Sequence, residues 1–420
     1  MIRPTAAVIG SGVAGLTAAY LLQRRYDVTL FEAQERLGGH AHTHDVLGAD
    51  GTSRPIDSGF IVHNIRTYPN LIRLFDELGV RVRDTEMSMS VRCEGCGLEY
   101  AGARRLPGLF AQPGNVMRPR YLRLLAEVPR FHRQARRLLA DPAGSEVTLG
   151  EFLAAGRYSS YFVDHFALPM VSSVWSADAA VSARYPARYL FAFLEHHGLL
   201  SVGGSPTWRT VVGGSREYVD RAVKELTEVE LSSPVRALWR DGAGVLVTDR
   251  SGLSRRFDRA VVATHPDEAL ELLADATRSE REVLGAFRYS HNETWLHRDS
   301  SVLPRAAGAR ASWNYFKRDC PSTGDPVLVS YYMNRLQGLD ATEDYVVTLN
   351  AGDRVAPDAV LATMTYRHPI YTPESVAAQA RLPELSGPVV AFAGAYHGWG
   401  FHEDGCASGV RAAEAFGVSW

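Results

Sequence analysis

The 420-residue sequence predicts a mixed fold class: a Rossmann-type α/β domain interleaved with an α+β domain made of an antiparallel sheet and a helical cap. Three observations predict it. A strand, glycine turn, helix and strand open the chain, β-rich segments alternate apolar and polar residues between about 288 and 350, and an apolar strand with a helix closes it. At 46% hydrophobic residues, the chain can fill the cores of two domains.

The first element is the stretch "TAAVIGSGVAGLTAAYLLQRRYDVTLFEA", which reads as a βαβ unit. Its turn is G-x-G-x-x-G, formed by Gly10, Gly12 and Gly15. These glycines allow a sharp turn, close approach to a pyrophosphate and close helix packing, and the helix N-terminus then faces the phosphates. Glu32 ends the second strand, where a carboxylate accepts hydrogen bonds from ribose hydroxyls. The unit predicts a bound dinucleotide.

The remaining elements predict two interleaved domains. A helical middle covers about 116 to 200, a strand-turn-strand region covers 230 to 265, and the chain ends on a strand and a helix. The dinucleotide-binding domain is therefore predicted to comprise residues 1–65, 205–275 and 385–420. The substrate-binding domain, with its helical cap, is predicted to comprise 66–204 and 276–384.

One helix of the cap, at 118–139, has an apolar face and a basic face. Pro129 predicts a kink in it. A solvated face is the simpler interpretation of its arginines, and peripheral contact with an anionic membrane surface or an acyl carrier is the alternative. The apolar positions are Tyr121, Leu124, Leu125, Val128, Phe131, Ala135, Leu138 and Leu139; the basic ones are Arg120, Arg123, Arg130, Arg133, Arg136 and Arg137.

Composition narrows the function classes. The chain has no 18-residue apolar run and no signal-like N-terminus, so we expect a cytoplasmic protein. A net charge of −2 gives no general attraction to nucleic acid. Cys93 and Cys96 in "CEGC" fit half a zinc site or a redox pair, but Cys320 and Cys406 stand alone in the sequence. We therefore interpret the segment as a loop with free thiols and predict no metal.

The residues after the βαβ unit carry a family resemblance. "EAQERLGGH", from Glu32 to His40, resembles the E-A-x-x-R-x-G-G motif of the flavin-containing amine oxidase superfamily. "DSGFIVHN" at 57–64, "VVGGSREYVDRAV" at 211–223, "VVATHP" at 261–266 and the closing segment at 389–416 follow in the order that this family uses. The resemblance implies an amine-oxidase-like fold with FAD as cofactor.

A narrower resemblance concerns "ASWNY", "MNRLQGL" and "GFHEDG". These stretches are similar to a bacterial branch of predicted NAD/FAD-binding oxidoreductases associated with cyclopropane-fatty-acid-synthase-like enzymes. The likeness implies a hydrophobic, fatty-acyl or lipid-like substrate and a lipid methyltransferase as partner.

The resemblance also implies a set of FAD contacts, drawn from the glycine turn, the two following motifs, the middle segment and the closing helix. These are Gly10, Gly12, Val13, Ala14, Gly15, Glu32, Ala33, Arg36, Gly38, Gly39, His40, Gly59, Phe60, Val235, Gly394, His402, Glu403 and Asp404. His40 stands where many members have arginine. His40, His42 and His44 could ligate a metal, but the adjoining glycines belong to the flavin motif, so we predict no metal there.

One residue that is typical of amine oxidases is missing from this sequence. Amine oxidases of the superfamily carry a lysine near flavin N5, in the strand that here reads "HNETWLHRD", and that strand has none. Dehydrogenating an alkyl chain needs hydride acceptance at N5 and often a base. Glu403, His402 and His397 are the candidate bases, with Glu403 ranked first and His63 also considered. A structural role is the alternative for each, and Glu403 or Asp404 would then cap the closing helix.

The leading hypothesis is an FAD-dependent oxidoreductase that desaturates a fatty-acyl or lipid-like substrate. Three alternatives stay open: an amine or amino-acid oxidase, with Arg335 as carboxylate anchor, a double-bond isomerase, and a flavin-bearing accessory subunit of a lipid methyltransferase. No second G-x-G-x-x-G occurs, so oxygen or another acceptor would reoxidise the flavin.

Four aromatic residues are candidates for lining the substrate pocket, and core packing is the alternative for each. They are Trp313, Tyr315, Tyr332 and Trp399.

Overall fold

The computed structural model describes residues 3–102, 105–141, 146–201, 206–321 and 326–420. The strands in these ranges are β1 Thr5–Ile9, β2 Asp27–Phe31, β3 Thr43–Leu47, β4 Ser53–Asp57, β5 Val62–Asn64, β6 Val82–Thr85, β7 Met89–Cys93, β8 Leu98–Ala101, β9 Trp208–Val211, β10 Glu228–Glu230, β11 Val235–Arg240, β12 Val245–Asp249, β13 Ser254–Phe257, β14 Arg259–Val262, β15 Arg288–His297, β16 Trp313–Lys317, β17 Leu328–Tyr332, β18 Val346–Leu349, β19 Val360–Ile370 and β20 Val390–Phe392. The α-helices are α1 Val13–Leu22, α2 Pro69–Glu77, α3 Arg105–Leu109, α4 Pro119–Ala140, α5 Leu149–Ala155, α6 Ser160–Phe162, α7 Leu168–Trp175, α8 Ala179–Ala183, α9 Ala187–His196, α10 Arg216–Val223, α11 Pro266–Leu272, α12 Arg278–Leu284, α13 Met333–Leu336, α14 Pro373–Gln379 and α15 His402–Ala415.

A parallel sheet of order β10-β2-β1-β14-β20 forms the Rossmann part of the fold. Ala6, Ala7 and Val8 of the central strand are fully buried, as expected of a parallel strand covered on both faces. Helix α1 is apolar on nearly all sides because it lies between this sheet and α15. The strands come from three separated stretches of chain, which confirms the predicted fold class. The domain limits given above stay a prediction.

A seven-stranded sheet of order β19-β15-β18-β17-β16-β7-β8 forms the second layer. The pairs β19-β15, β15-β18, β18-β17, β17-β16 and β7-β8 are antiparallel, which confirms the expectation for 288–350. The sequence reasoning missed β7 and β8. They join through a parallel pairing of β7 with β16, from Met89 opposite Trp313 to Cys93 opposite Lys317.

The cap consists of α4 to α9, packed into one hydrophobic cluster with part of the large sheet. Tyr121, Leu124, Phe131 and Ala135 of α4 are buried in this cluster, so the predicted apolar face is confirmed. The helix continues through Pro129 for 22 residues, so the predicted kink does not end it. No helix within the described ranges is both long and apolar enough to cross a bilayer.

One inference about the cysteines is wrong. Cys320 does not stand alone, because it follows β16 in the fold and lies against the turn that joins β7 to β8. Its Sγ is 3.9 Å from Sγ of Cys93. The spacing of residues along the chain could not show this, since 227 positions separate the two cysteines.

Candidate active site

A single cavity of ≈ 1640 Å³ extends from the parallel sheet to the helical cap. Its walls come from the turn after β1, the end of β2, the middle of α4 and the ends of β19 and β20. Pockets for one drug-sized ligand measure about 300 to 1,000 Å³. The cavity is therefore large enough for a dinucleotide and a second molecule.

The Rossmann end of the cavity has the shape that a pyrophosphate requires. Gly10 has φ +98°, and a Cβ there would lie 2.8 Å from the carbonyl oxygen of Ala263, so only glycine fits. A Cβ on Gly12 would meet nothing within 4 Å, which leaves open space beside the turn. Helix α1 begins there without a capping side chain, and Val13 and Ala14 line the cavity. Unpaired N–H groups of such a helix end attract anions.

Glu32 lies at the cavity wall beside this turn. Its carboxylate accepts hydrogen bonds from the N–H groups of Ser11, at 3.0 Å, and Gln34, at 2.9 Å. The hydroxyl of Ser11 in turn accepts from the N–H of Gly38, at 3.0 Å. The Arg36 guanidinium donates to the carbonyl of Gly39, at 2.8 Å. These bonds hold the glycine turn and the Gly-Gly loop together around the space that the ligand would fill.

Three histidines gather where the two layers meet. The ring of His40 lies 6.3 Å from that of His265 and 5.7 Å from that of His368, and all three line the cavity. Burial lowers the pKa of His40 and of His265 to about 4 and that of His368 to about 3, with the neighbouring imidazoles adding to the effect on His40 and His368. These rings are therefore neutral at pH 7. The sequence pointed to His265 only through "VVATHP", and no signal marked His368.

His40, His42 and His44, which the sequence analysis considered as metal ligands and set aside, do not converge on one point in the structure. His40 precedes β3 and faces the other two cavity histidines. The rings of His42 and His44 lie 4.0 Å apart, but His42 Nδ1 pairs with the Tyr366 hydroxyl and His44 Nε2 with the Ser58 hydroxyl.

Of the three candidate bases, only His402 reaches the cavity. Its ring stacks on Phe60 at 3.6 Å, and its Nε2 lies 3.0 Å from the hydroxyl of Tyr218. Burial, with His40 and His63 nearby, holds the pKa of His402 well below its usual range. His402 is thus a neutral imidazole held between an aromatic ring and a phenol.

The structure places the candidates Glu403 and His397 outside the lining of the cavity. The Glu403 carboxylate accepts hydrogen bonds from the N–H groups of Asn70, at 3.1 Å, and Leu71, at 3.0 Å, and so stabilises the N-terminus of α2. It does not line the cavity. His397 lies in the turn behind Gly394, also outside the lining, and its ring packs on Tyr396 at 4.7 Å. The contacts of both side chains are therefore contacts with the surrounding protein, as expected of structural residues.

The substrate-side end of the cavity is aromatic and aliphatic. Of the four pocket candidates, Trp313 lines it, while Tyr315 lies in the hydrophobic core. Tyr332 donates instead to Asp344, at 2.7 Å, and Trp399 packs among cap aromatics. Tyr331 lines the cavity in place of the expected Tyr332. Successive side chains of a strand point to opposite faces, so Tyr331, which is paired opposite Trp313, faces the cavity and Tyr332 faces away.

Comparison with known proteins decides the family. The sequence model of the family described as "Flavin containing amine oxidoreductase" matches residues 13–416. The chain belongs to this family. By its description, the members of this family are flavin-containing oxidoreductases.

The chain's relatives within the family differ in their named reactions. The protein described as flavin-containing monoamine oxidase AofH, of Mycobacterium tuberculosis, is 31% identical over 259 residues, which cover 58% of this chain and 53% of that protein. The coproporphyrinogen III oxidase of Mycobacterium bovis is 24% identical over 93% of this chain and 92% of its own. The chain thus spans about half the length of the first of these relatives.

Solved structures agree with the amine-oxidase-like fold. Cyclohexylamine oxidase from Brevibacterium oxydans superimposes with a TM-score of 0.69, covering 98% of both chains at 18% identity. The CLA-producing fatty acid isomerase from P. acnes superimposes with a TM-score of 0.66, covering 98% of both chains at 16% identity.

The residues present fit FAD at the Rossmann end. The turn and α1 would hold the pyrophosphate, Glu32 the ribose, and the Gly39–His40 stretch with Phe60 the region toward the flavin. The predicted contacts that line the cavity are Gly10, Gly12, Val13, Ala14, Glu32, Ala33, Arg36, Gly39, His40, Gly59, Phe60, Val235, Gly394 and His402. Gly15, Gly38, Glu403 and Asp404 lie behind the lining and support it. A Cβ on Gly15, for example, would lie 1.9 Å from the carbonyl oxygen of Gly10.

Asp404 provides a prediction about the pH dependence of the free energy of unfolding. Its carboxylate caps α15 by accepting from the Phe401 N–H at 2.9 Å, and burial raises its pKa to about 7. Between about pH 4 and 7 the unfolded chain ionises while the folded carboxyl stays protonated, so the folded state loses stability as the pH rises. We expect Asp404→Asn, which keeps the acceptor, to gain about 1 to 3 kcal/mol relative to wild type between pH 4 and 8.

Urea unfolding of both proteins at several pH values measures this difference. The exposed Asp358 provides the control, and Asp358→Asn, which alters only a surface side chain, should leave the stability close to that of wild type. A flat difference for Asp404→Asn would show that its carboxyl ionises equally in both states.

Proposed function

We propose that this flavoenzyme dehydrogenates an uncharged, elongated, apolar substrate of the fatty-acyl or lipid-like class. One observation carries the proposal: the substrate-side end of the cavity is built from apolar side chains of the cap and the large sheet. Its walls include Val91, Leu125, Val128, Met170 and Trp313.

Charge distribution in the cavity supports an uncharged substrate. Among the described lining residues, the carboxylates are Glu32, Glu268 and Glu271, which lie at the Rossmann end and near the histidine cluster. Glu268 is paired with Arg367 at 2.6 Å. No carboxylate of the described lining belongs to the cap or to β7, β16 and β17. An ammonium group buried there would lose its hydration without gaining a partner.

The residues of this chain would exclude water and orient the substrate. When bound, FAD supplies the two-electron acceptor. The cap and the sheet would hold the alkyl chain in a dry channel, and the neutral imidazoles of His402, His40 and His368 could accept a proton where the two layers meet. His402 is the best positioned of these, because Phe60 and Tyr218 fix its ring.

Anaerobic titration of the purified protein tests the proposal. Fatty acyl lipids, free fatty acids and amines are added in turn while the visible flavin band is followed. We expect bleaching by an acyl lipid or fatty acid and none by amines. Bleaching by amines alone would instead support amine oxidation, the activity in the name of AofH. If no compound bleaches the band, product analysis of the lipid mixtures separates isomerisation from an accessory role.

We further propose that the start of the cap touches a membrane surface. Leu106 of α3, Val116 and Met117 of the following turn, and Leu122 of α4 are exposed, and Met117 is exposed to 81%. The exposed Arg120 and Arg123 flank them, a composition typical of surfaces that bind anionic lipid. An apolar substrate would then enter directly from a bilayer.

Vesicle sedimentation measures this contact. We expect the double variant Leu106→Ser and Met117→Ser to bind vesicles with anionic lipids about tenfold more weakly, because it loses exposed apolar area. Leu253 is 59% exposed on the β12–β13 hairpin, so Leu253→Ser is the matched control and should bind as wild type does. Equal binding of all three proteins would rule the surface out.

The proposed lipid methyltransferase partner rests on sequence resemblance alone, and co-purification tests it.

A further inference from the structure

Four metal-ligating side chains converge at the edge of the large sheet, away from the flavin site. Sγ of Cys93, Cys96 and Cys320 and a ring nitrogen of His165 all lie within 4.8 Å of one another. Cys93 and His165 are fully buried. Their elements are far apart in the chain: the β7–β8 turn, the π-helical segment Val163–Ala167 of the cap, and the segment after β16.

We propose that these four side chains bind one structural zinc ion. The set is three thiols and one imidazole, a combination that zinc favours, and Cys93 and Cys96 have the C-x₂-C spacing of zinc turns.

The distances fit a tetrahedral ion. Zinc–sulfur bonds of about 2.3 Å and zinc–nitrogen bonds of about 2.0 to 2.1 Å place two sulfurs about 3.8 Å apart and a sulfur and a nitrogen about 3.5 Å apart. The Sγ atoms of Cys93 and Cys320 are 3.9 Å apart, and Sγ of Cys96 lies 3.6 Å from His165 Nε2. A disulfide would need about 2.0 Å.

Neighbouring groups orient the four side chains through hydrogen bonds. His165 Nδ1 lies 3.1 Å from the carbonyl oxygen of Tyr161, so Nδ1 carries the proton and Nε2 presents its lone pair to the cluster. The backbone N–H groups of Cys96 and Leu98 donate to the sulfurs of Cys93 and Cys96, respectively, and so help to fix the positions of these sulfurs. The hydroxyl of Tyr161 adds a contact to Cys96 Sγ at 3.4 Å.

Packing and charge agree with an ion here. A Cβ on Gly95 would lie 3.0 Å from the backbone nitrogen of Cys320, so glycine lets the β7–β8 turn approach this segment. Three thiolates, a neutral imidazole and Zn²⁺ carry a net charge of −1. The largely buried Lys317 has all three cysteines and Asp164 among its charge neighbours, so its ammonium would offset that charge.

The ion would stabilise one wall of the substrate cavity. Four protein ligands complete a tetrahedron, so no position remains for a reacting water and the site is structural. It would tie β7 and β8, which contribute Val91 and Tyr100 to the cavity wall, to the cap turn that contributes Phe166. The Tyr100 hydroxyl already donates to the carbonyl of His165 at 2.7 Å.

Metal analysis of the purified holoprotein tests the proposal. We expect about one zinc per chain, retained through dialysis against a weak chelator. Cys96→Ser and Cys320→Ser should lower zinc content at least about tenfold. Cys406 is the matched control, since it is buried against Thr17 in the Rossmann part, and Cys406→Ser should keep its zinc.

A second measurement does not depend on the folding of variants. Titrating wild-type protein with an organomercurial should release zinc in step with the modification of three thiols. Protein produced with Co²⁺ should show the intense ligand-field bands of a tetrahedral thiolate site, at wavelengths beyond the flavin absorption. Two outcomes would overturn the proposal. One is a disulfide between Cys93 and either Cys320 or Cys96 in the isolated protein, and the other is reduced protein that takes up neither zinc nor cobalt.

Discussion

Replacing Gly12 by aspartate is expected to weaken FAD binding by at least about 100-fold while leaving the apoprotein folded. Gly12 precedes α1 with φ −63° and ψ 172°, a conformation that any residue adopts, and a Cβ there meets nothing within 4 Å. Aspartate is also a favoured residue at a helix N-cap, so the fold should be unaffected or slightly more stable.

The carboxylate would instead occupy the space for the pyrophosphate. Two like charges about 5 Å apart repel by about 3 kcal/mol at an effective dielectric constant of 20, which alone weakens FAD binding by about 100-fold. Fluorescence titration of apoprotein with FAD measures the affinity, and urea unfolding measures the stability.

Gly114 provides the matched control for Gly12. It also has open space at its Cβ position, but it lies in the turn before α4. Gly114→Asp should therefore bind FAD as wild type does. Wild-type affinity in Gly12→Asp would show that the glycine turn does not hold the pyrophosphate.

Replacing Leu125 by aspartate is expected to lower kcat/KM for an acyl substrate by about 30- to 100-fold. Leu125 lines the substrate-side cavity from α4. The substitution removes about 2 to 3 kcal/mol of apolar contact with the substrate and places a carboxylate at the cavity wall. FAD content should not change, because the position is remote from the Rossmann turn.

The neighbouring residue on the same helix is the control. Ala126 is exposed, so Ala126→Asp costs at least as much helix propensity as Leu125→Asp without entering the cavity, and its kcat/KM should match that of wild type. Steady-state kinetics of both variants with an acyl substrate and an amine measure the effect. Unchanged acyl turnover in Leu125→Asp, or a gain in amine turnover alone, would contradict the proposed substrate class.

Local patterns determined the Rossmann part of this protein. The G-x-G-x-x-G turn and Glu32 lie within one βαβ unit, so residue spacing alone predicts their geometry. Four further motifs in a fixed order predicted the family and FAD. Alternation along 288–350 predicted the antiparallel strands, because side chains of a strand point to opposite faces in turn.

Only the tertiary structure decided the roles of individual polar side chains. Glu403 and His402 are adjacent in sequence at the start of α15, yet one stabilises α2 and the other faces the cavity, because successive helical residues point in directions about 100° apart.

Long-range packing also decided the two clusters that the sequence did not predict. His40 meets His368 only because β19 ends beside the Gly-Gly loop, and Cys320 meets Cys93 only because β16 pairs with β7. A strand pairing between residues more than 200 positions apart leaves no local signal, since neither partner's periodicity specifies the other.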